Sequence, residues 1–184
     1  MTTVTEAQAD MRHAYYGGAT GIAASAIAWL TAAIVASMAN PRAAMATLFI
    51  GGMFIHPGAV LLSKLLGRPG KHEKGNPLAG LAIESTVWLL LAIAVAFIAS
   101  FLRTEWFFIA MLLTIGGRYF MFATLYGLRV YWACGAALAL AAFGLAALNA
   151  STALITLTGG LIELTFTAIV FRGHSSITSK RGRA

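Results

Sequence analysis

Four ionisable residues lie inside long apolar runs: His56, Glu84, Arg118 and Glu163. Carboxylates, a guanidinium and an imidazole in such places suit proton exchange, a proton relay, or the holding of an opposite charge. Arg118 stands in "TIGGRYFMF", within an apolar run from Trp106 to Gly127. A charge at that depth in hydrocarbon costs at least ~2.5–3.5 kcal/mol on insertion scales, so it needs a partner. Counted from the end of each run that adjoins the basic loops, Glu84 is seven residues in from Pro77 and Glu163 eight from Phe171. Arg118 is eight from Tyr126, and His56 ten from Leu66. At helical rise these depths are all roughly 10–15 Å. The four are therefore expected in one layer, with Arg118 facing Glu84 or Glu163.

Helix breakers accompany the layer. Gly51 and Gly52 precede His56, Pro57 and Gly58; Gly116 and Gly117 precede Arg118; Gly159 and Gly160 precede Glu163; Gly80 precedes Glu84. Proline removes a backbone donor and kinks a helix. Broken helices at membrane depth are tolerated where they are buried or line a cavity. Pro57, Gly116, Gly117, Gly159 and Gly160 are thus expected hinges around a pocket lined by Tyr119, Ser85, Thr86, Thr165 and Trp88. A plainer reading stands beside this one: the charges form a buried network that fixes helix register, and the glycines serve packing. His56 could simply satisfy a carbonyl freed by Pro57. His56, Glu84 and Glu163 share no helix at metal-ligand spacing, so no metal and no cofactor is expected. No nucleophile elbow, P-loop or dinucleotide fingerprint is present, and no catalytic residue is assigned.

The elements that must carry these residues follow from composition. The chain has 184 residues, 59% of them hydrophobic and 10% charged, with a mean hydropathy of +0.81. Only lipid can cover so much apolar surface. Six runs reach the roughly 20 residues that a crossing needs: 17–38, 43–66, 77–102, 106–126, 130–149 and 151–171. They fill one domain, followed by a basic tail over 172–184. The fold expected is an all-α bundle of six transmembrane helices.

Lysine and arginine set its orientation. Arg12, Lys64, Arg68, Lys71, Lys74, Arg129, Arg172, Lys180, Arg181 and Arg183 collect on one side, and Arg42 and Arg103 on the other. The basic side is expected in the cytoplasm, with both termini inside. The net charge of +7 is then a matter of topology, not of nucleic acid, and "RPGKHEKGNP" is placed to meet anionic lipid head groups. The first sixteen residues lack the basic start and apolar core of a cleaved leader. Cys134 is single, so it offers no disulfide within the chain.

Two patterns bear on packing and symmetry. Gly17, Gly21 and Ser25 recur every fourth residue in the first run, and Gly135 and Ala139 in the fifth. Such seams let helices approach closely, within one chain or in a homo-oligomer. "GLAIEST" (Gly80–Thr86) matches "GGLIELT" (Gly159–Thr165) as G-x-x-I-E-x-T. The copies lie in the third and sixth runs, which cross in opposite directions, as in an inverted repeat of three helices.

The stretches "SKLLGRPGKHEKGNPLAGLAIEST" and "GGRYFMFATLYG" resemble an uncharacterised bacterial family of small multipass membrane proteins, a domain of unknown function. The resemblance covers most of the chain. It implies a bacterial cytoplasmic (inner) membrane location and brings no activity, cofactor or site residue. From the residues themselves, the leading expectation is a proton- or ion-coupled transporter of a small solute. The rivals are a membrane-embedded enzyme acting on a lipid and a structural or accessory subunit.

Overall fold

The computed structural model describes residues 3–181, with side chains over 3–173. Lys180, Arg181 and Arg183, on which the basic tail rests, lie outside the described side chains. Seven α-helices follow one another: α1 (Val4–Tyr15), α2 (Ala19–Met38), α3 (Pro41–Leu65), α4 (Ala79–Ser100), α5 (Thr104–Tyr126), α6 (Val130–Ala147) and α7 (Thr152–Arg181). No strand occurs among the described residues. Six of the helical stretches are long and apolar enough to cross a membrane. The chain is therefore a multipass helical membrane protein.

Four of the five connections between crossings are short turns, and the longer one, over 66–78, is tied to α1. Asn40 caps α3 by accepting from the Ala43 N–H at 2.9 Å, and Pro41 follows at the first helical position, where its missing donor costs nothing. Gly127 ends α5 in the left-handed conformation. Between α6 and α7, Asn149 takes φ 49°, a backbone region that asparagine tolerates. The "NAS" segment, the least obvious boundary in the sequence, is thus a true turn.

The first crossing begins at Ala19 and not at Gly17. Tyr16, Gly17 and Gly18 all have positive φ and separate α1 from α2. A Cβ at Gly18 would collide with Tyr131 Oη and the Tyr126 ring. Gly17 consequently belongs to this break, and Gly21, with open space around it, makes no close helix contact. Of the expected seam, Ser25 is buried within the crossing and Gly17 in the break that precedes it.

Helix α1 was not anticipated from hydropathy, but its start is encoded locally. Thr3 Oγ1 accepts from the Glu6 N–H, and Glu6 accepts from the Thr3 N–H at 2.7 Å, a reciprocal capping box. Ala7, Met11 and Ala14 face inward. Gln8 and Arg12 reach the end of α5, donating to the carbonyls of Thr124 (2.8 Å) and Tyr126 (2.5 Å). Those carbonyls would otherwise be orphaned at a helix terminus. The connection between α3 and α4 is fastened to α1 as well. Asp10 accepts from the Glu73 N–H (3.0 Å) and Asn76 Nδ2 (2.6 Å), and Gly70 N–H donates to Ala14 O (3.1 Å).

Two helices organise the bundle. α2 packs against α3 and α7, and α5 packs against α4 and α6; the two groups meet where α7 touches α6 and α5. Small residues set the closest approaches. A Cβ on Gly116 would lie 2.9 Å from Gly135 O, and one on Gly135 would lie 2.6 Å from Gly116 O, so α5 and α6 cross backbone to backbone. Gly51 faces Ala28. Gly159 receives Trp29 and Leu112, and Gly160 receives Leu30, where α7 crosses α2. Gly116, Gly117, Gly159, Gly160 and Pro57 all stand inside unbroken helices. Gly116, Gly159 and Gly160 are contact points, and only Gly117, 4.0 Å from Trp88 Nε1 at its nearest, has room around it.

Candidate functional site

Glu163 is the one charged side chain fully enclosed among the described residues, at 0% exposure. It sits on the face of α7 that meets α2 and α5. The glycines one turn before it bring the α2 backbone close, and the ring of Trp29 fills the space above. From α5, Tyr119 donates its phenol proton to Glu163 Oε1 at 2.6 Å. Ser25 of α2 faces the same carboxyl group. The other oxygen, Oε2, is buried without a hydrogen-bond partner. Orphaned buried acceptors are rare and costly, so this one marks a place where the fold retains polarity at its own expense.

The carboxyl group is part of a longer polar stripe. Thr152, Thr156, Glu163 and Thr167 recur on one face of α7 at steps of four, seven and four residues, and all are buried. The hydroxyls of Thr152 and Thr167 and the Trp29 indole N–H join Glu163 Oε2 as buried groups without partners. Toward the basic end the stripe gives way to aromatics. Tyr131 lies 5.8 Å from Tyr119 and stacks on Tyr126 at 5.6 Å, and its hydroxyl donates to Gly17 O at 2.6 Å. Toward the other end, α2 and α7 part to form an apolar groove of about 730 Å³, lined by Leu30, Ile34, Met38, Leu154 and Leu157 among others. Leu30 belongs to both features: it borders the groove and packs on Gly160.

The other expected site residues are dispersed. Arg118 makes no ion pair; among the described residues the ion pair is Arg103–Glu105, at 3.6 Å. Arg118 Nη2 donates to Thr86 Oγ1 at 3.5 Å, and its guanidinium lies 5.1 Å from the Phe122 ring centre. Its charge acts on Glu163 only through space. Glu84 is exposed on α4 and His56 is exposed on α3, so the pair expected between Arg118 and Glu84 does not form. Pro57 is exposed beside His56, in the same continuous helix. Ser85 is buried against its own helix, donating to Ala82 O, and Thr165 is exposed, donating to Leu161 O. Trp88 is half-exposed. Of the lining residues expected from sequence, Tyr119 reaches Glu163 and Thr86 reaches Arg118.

Sequence reasoning missed Ser25 as a neighbour of Glu163, along with Trp29 and Thr167. Ser25 and Trp29 continue the four-residue step of Gly17 and Gly21 along the first run; the matching step of Thr152, Thr156, Glu163 and Thr167 on α7 is the signal that points to their shared enclosure. The two copies of the G-x-x-I-E-x-T motif also sit in opposite surroundings, Glu84 exposed and Glu163 enclosed.

The chain belongs to a family of unknown function, DUF7010, which matches residues 4–173. No curated protein and no solved structure matches it.

Proposed function

We propose that the protein is a proton-coupled carrier of a small solute and that Glu163 is the group that exchanges the proton. The observation that carries this reading is the enclosed carboxyl group with one oxygen held by Tyr119 and the other unpartnered. A bundle that needed only register would gain stability from an apolar residue here. Intramembrane ionisable groups that face a bundle interior commonly mark proton and substrate paths. The α2–α7 seam supplies the rest of the route. The apolar groove lies toward one end of the seam, and Trp29 and Leu30, packed on Gly159 and Gly160, stand between it and Glu163. Parting of α2 from α7 would join the two.

The helix packing supports an inverted repeat with exchanged third helices. The first crossing of each half (α2, α5) packs on the second crossing of its own half (α3, α6). It packs also on the third crossing of the other half (α7, α4). The positive-inside rule supports a cytoplasmic basic end, with both termini inside.

The test is proton flux in liposomes that enclose a pH-sensitive dye, with candidate solutes added under an imposed pH gradient. Wild-type protein is expected to speed collapse of the gradient with at least one solute. Glu163→Gln, which still accepts from Tyr119, is expected to fold and leave the gradient as in empty liposomes. Equal flux from wild type and Glu163→Gln would defeat the assignment.

A further inference from the structure

α3 and α4 follow each other in sequence yet do not pack along their lengths. Their rings meet at Phe49 and Phe97 (5.3 Å), and Phe97 continues to Phe107 of α5 (5.0 Å). These three rings close the gap between the helices toward the Arg42 and Arg103 end. Helical spacing fixes what lies beneath them. His56 follows Phe49 by seven residues, Arg118 follows Phe107 by eleven, and Thr86 precedes Phe97 by eleven. Seven and eleven residues are close to whole numbers of turns, so each polar residue shares the face of its aromatic partner. Thr86 and Arg118 thus meet across the α4–α5 boundary about three turns beyond the rings, and His56 lies about two turns beyond them on the face of α3 that carries Phe49, across the cleft left between α3 and α4.

The one direct contact agrees with this. Arg118 Nη2 donates to Thr86 Oγ1 across the α4–α5 boundary, while Thr86 donates its own proton to Ala82 O. A guanidinium has five N–H donors in a planar fork. Here one makes a long hydrogen bond, Nε is buried without a partner, and no carboxylate stands within 4 Å. His56 is exposed and makes no hydrogen bond among the described residues. Met53 and Leu90, at helical spacing on the faces of α3 and α4 that carry Phe49 and Phe97, are exposed, so this side of the two helices is open to where a bilayer would lie.

We propose that this cleft binds an anionic phospholipid that enters laterally from the bilayer. The phosphate oxygens would take the free fork of Arg118, with His56 and Thr86 beside it, and an acyl chain would lie along Met53 and Leu90. An arginine fork matches phosphate oxyanions in geometry and charge. The ligand supplies the counter-charge that no side chain of the bundle provides. The site is separate from Glu163 and stands whether or not that residue carries protons.

The experiment is native mass spectrometry of the protein released from mixed micelles of phosphatidylglycerol and phosphatidylcholine. Wild type is expected to keep at least one phosphatidylglycerol in marked preference to phosphatidylcholine. Arg118→Gln is expected to lose that retention by about tenfold, the effect of about 1.4 kcal/mol. Arg42→Gln, an exposed change at the opposite end of the bundle, is expected to retain it. Equal retention of both lipids by wild type would overturn the proposal, and this arm needs no variant to fold. Unchanged retention in Arg118→Gln would overturn it too. So would competition by millimolar inorganic phosphate, which would mark a site for a soluble anion.

Discussion

Tyr119 Oη and Glu163 Oε1 stand 2.6 Å apart with both residues enclosed, so a single hydrogen bond joins the α5 group of helices to the α2 group in mid-core. Any rocking of one group against the other must stretch or break it. Among the described residues it is also the only hydrogen bond that the carboxyl group makes.

Tyr119→Phe leaves both oxygens of Glu163 without a donor. Stranding a buried acceptor costs about 1–3 kcal/mol. Thermal unfolding in detergent should show that loss. Tyr119→Phe/Glu163→Leu, which removes the stranded group as well, should recover most of it. A Tyr119→Phe protein as stable as wild type would show that the bond contributes nothing to the fold.

At the α5–α6 crossing, Gly135→Ala would push a methyl group to 2.6 Å from Gly116 O and 2.7 Å from the Phe120 ring. Overpacking of this kind costs about 1–3 kcal/mol. Gly52→Ala meets nothing within 4 Å and should gain about 0.5–1 kcal/mol from helix propensity. Unfolding midpoints that fall for the first variant and hold or rise for the second would establish Gly135 as a contact point. Equal effects would speak for flexibility as the common property of these glycines.

Asp10 holds the connection between α3 and α4 through Glu73 N–H and Asn76. Asp10→Ala should free that segment locally and leave the crossings intact. Hydrogen bonds to a charged group contribute about 1.5 kcal/mol each at the low end, enough for roughly tenfold more opening. Limited trypsin digestion should then cut after Lys71 and Lys74 roughly tenfold faster, with the same unfolding temperature. An unchanged cleavage rate would mean that Asp10 does not restrain the segment.

The direction of insertion is open to a labelling test. In intact cells a membrane-impermeant maleimide should reach a cysteine placed at Arg103 but not one at Lys71. Lys71→Cys should react only after permeabilisation. Cys134 is buried and should give little background. The reverse pattern would place the basic end outside.

Each of the six apolar runs overlaps one helix long and apolar enough to cross a membrane, because each is a long unbroken apolar stretch. Hydropathy could not tell which way each helix is turned. α4 is apolar nearly all round, and α7 carries exposed Thr165 as well as buried Thr156 and Thr167, so the polar positions alone do not separate the enclosed Glu163 from the exposed Glu84, and one motif announced both. Depth was countable from the loops, but partnership was not. Arg118 was expected on a carboxylate and instead meets Thr86 and Phe122. The glycine pairs were ambiguous for a related reason. A hinge and a close crossing require the same absent side chain, and only the neighbour's position distinguishes them. Helix α1 was legible from Thr3 and Glu6, a signal that hydropathy passes over.

The packing of α2 on α7 has a consequence for the order of assembly. The first crossing to leave the ribosome finds its broadest partner only when the sixth arrives. Until then Ser25 and Trp29 face lipid or the insertion machinery, and the half-built bundle presents a seam that α7 will later cover. A nascent chain stalled before Thr152 should therefore be a good client for membrane chaperones and quality-control proteases, while one stalled after Phe171 should not.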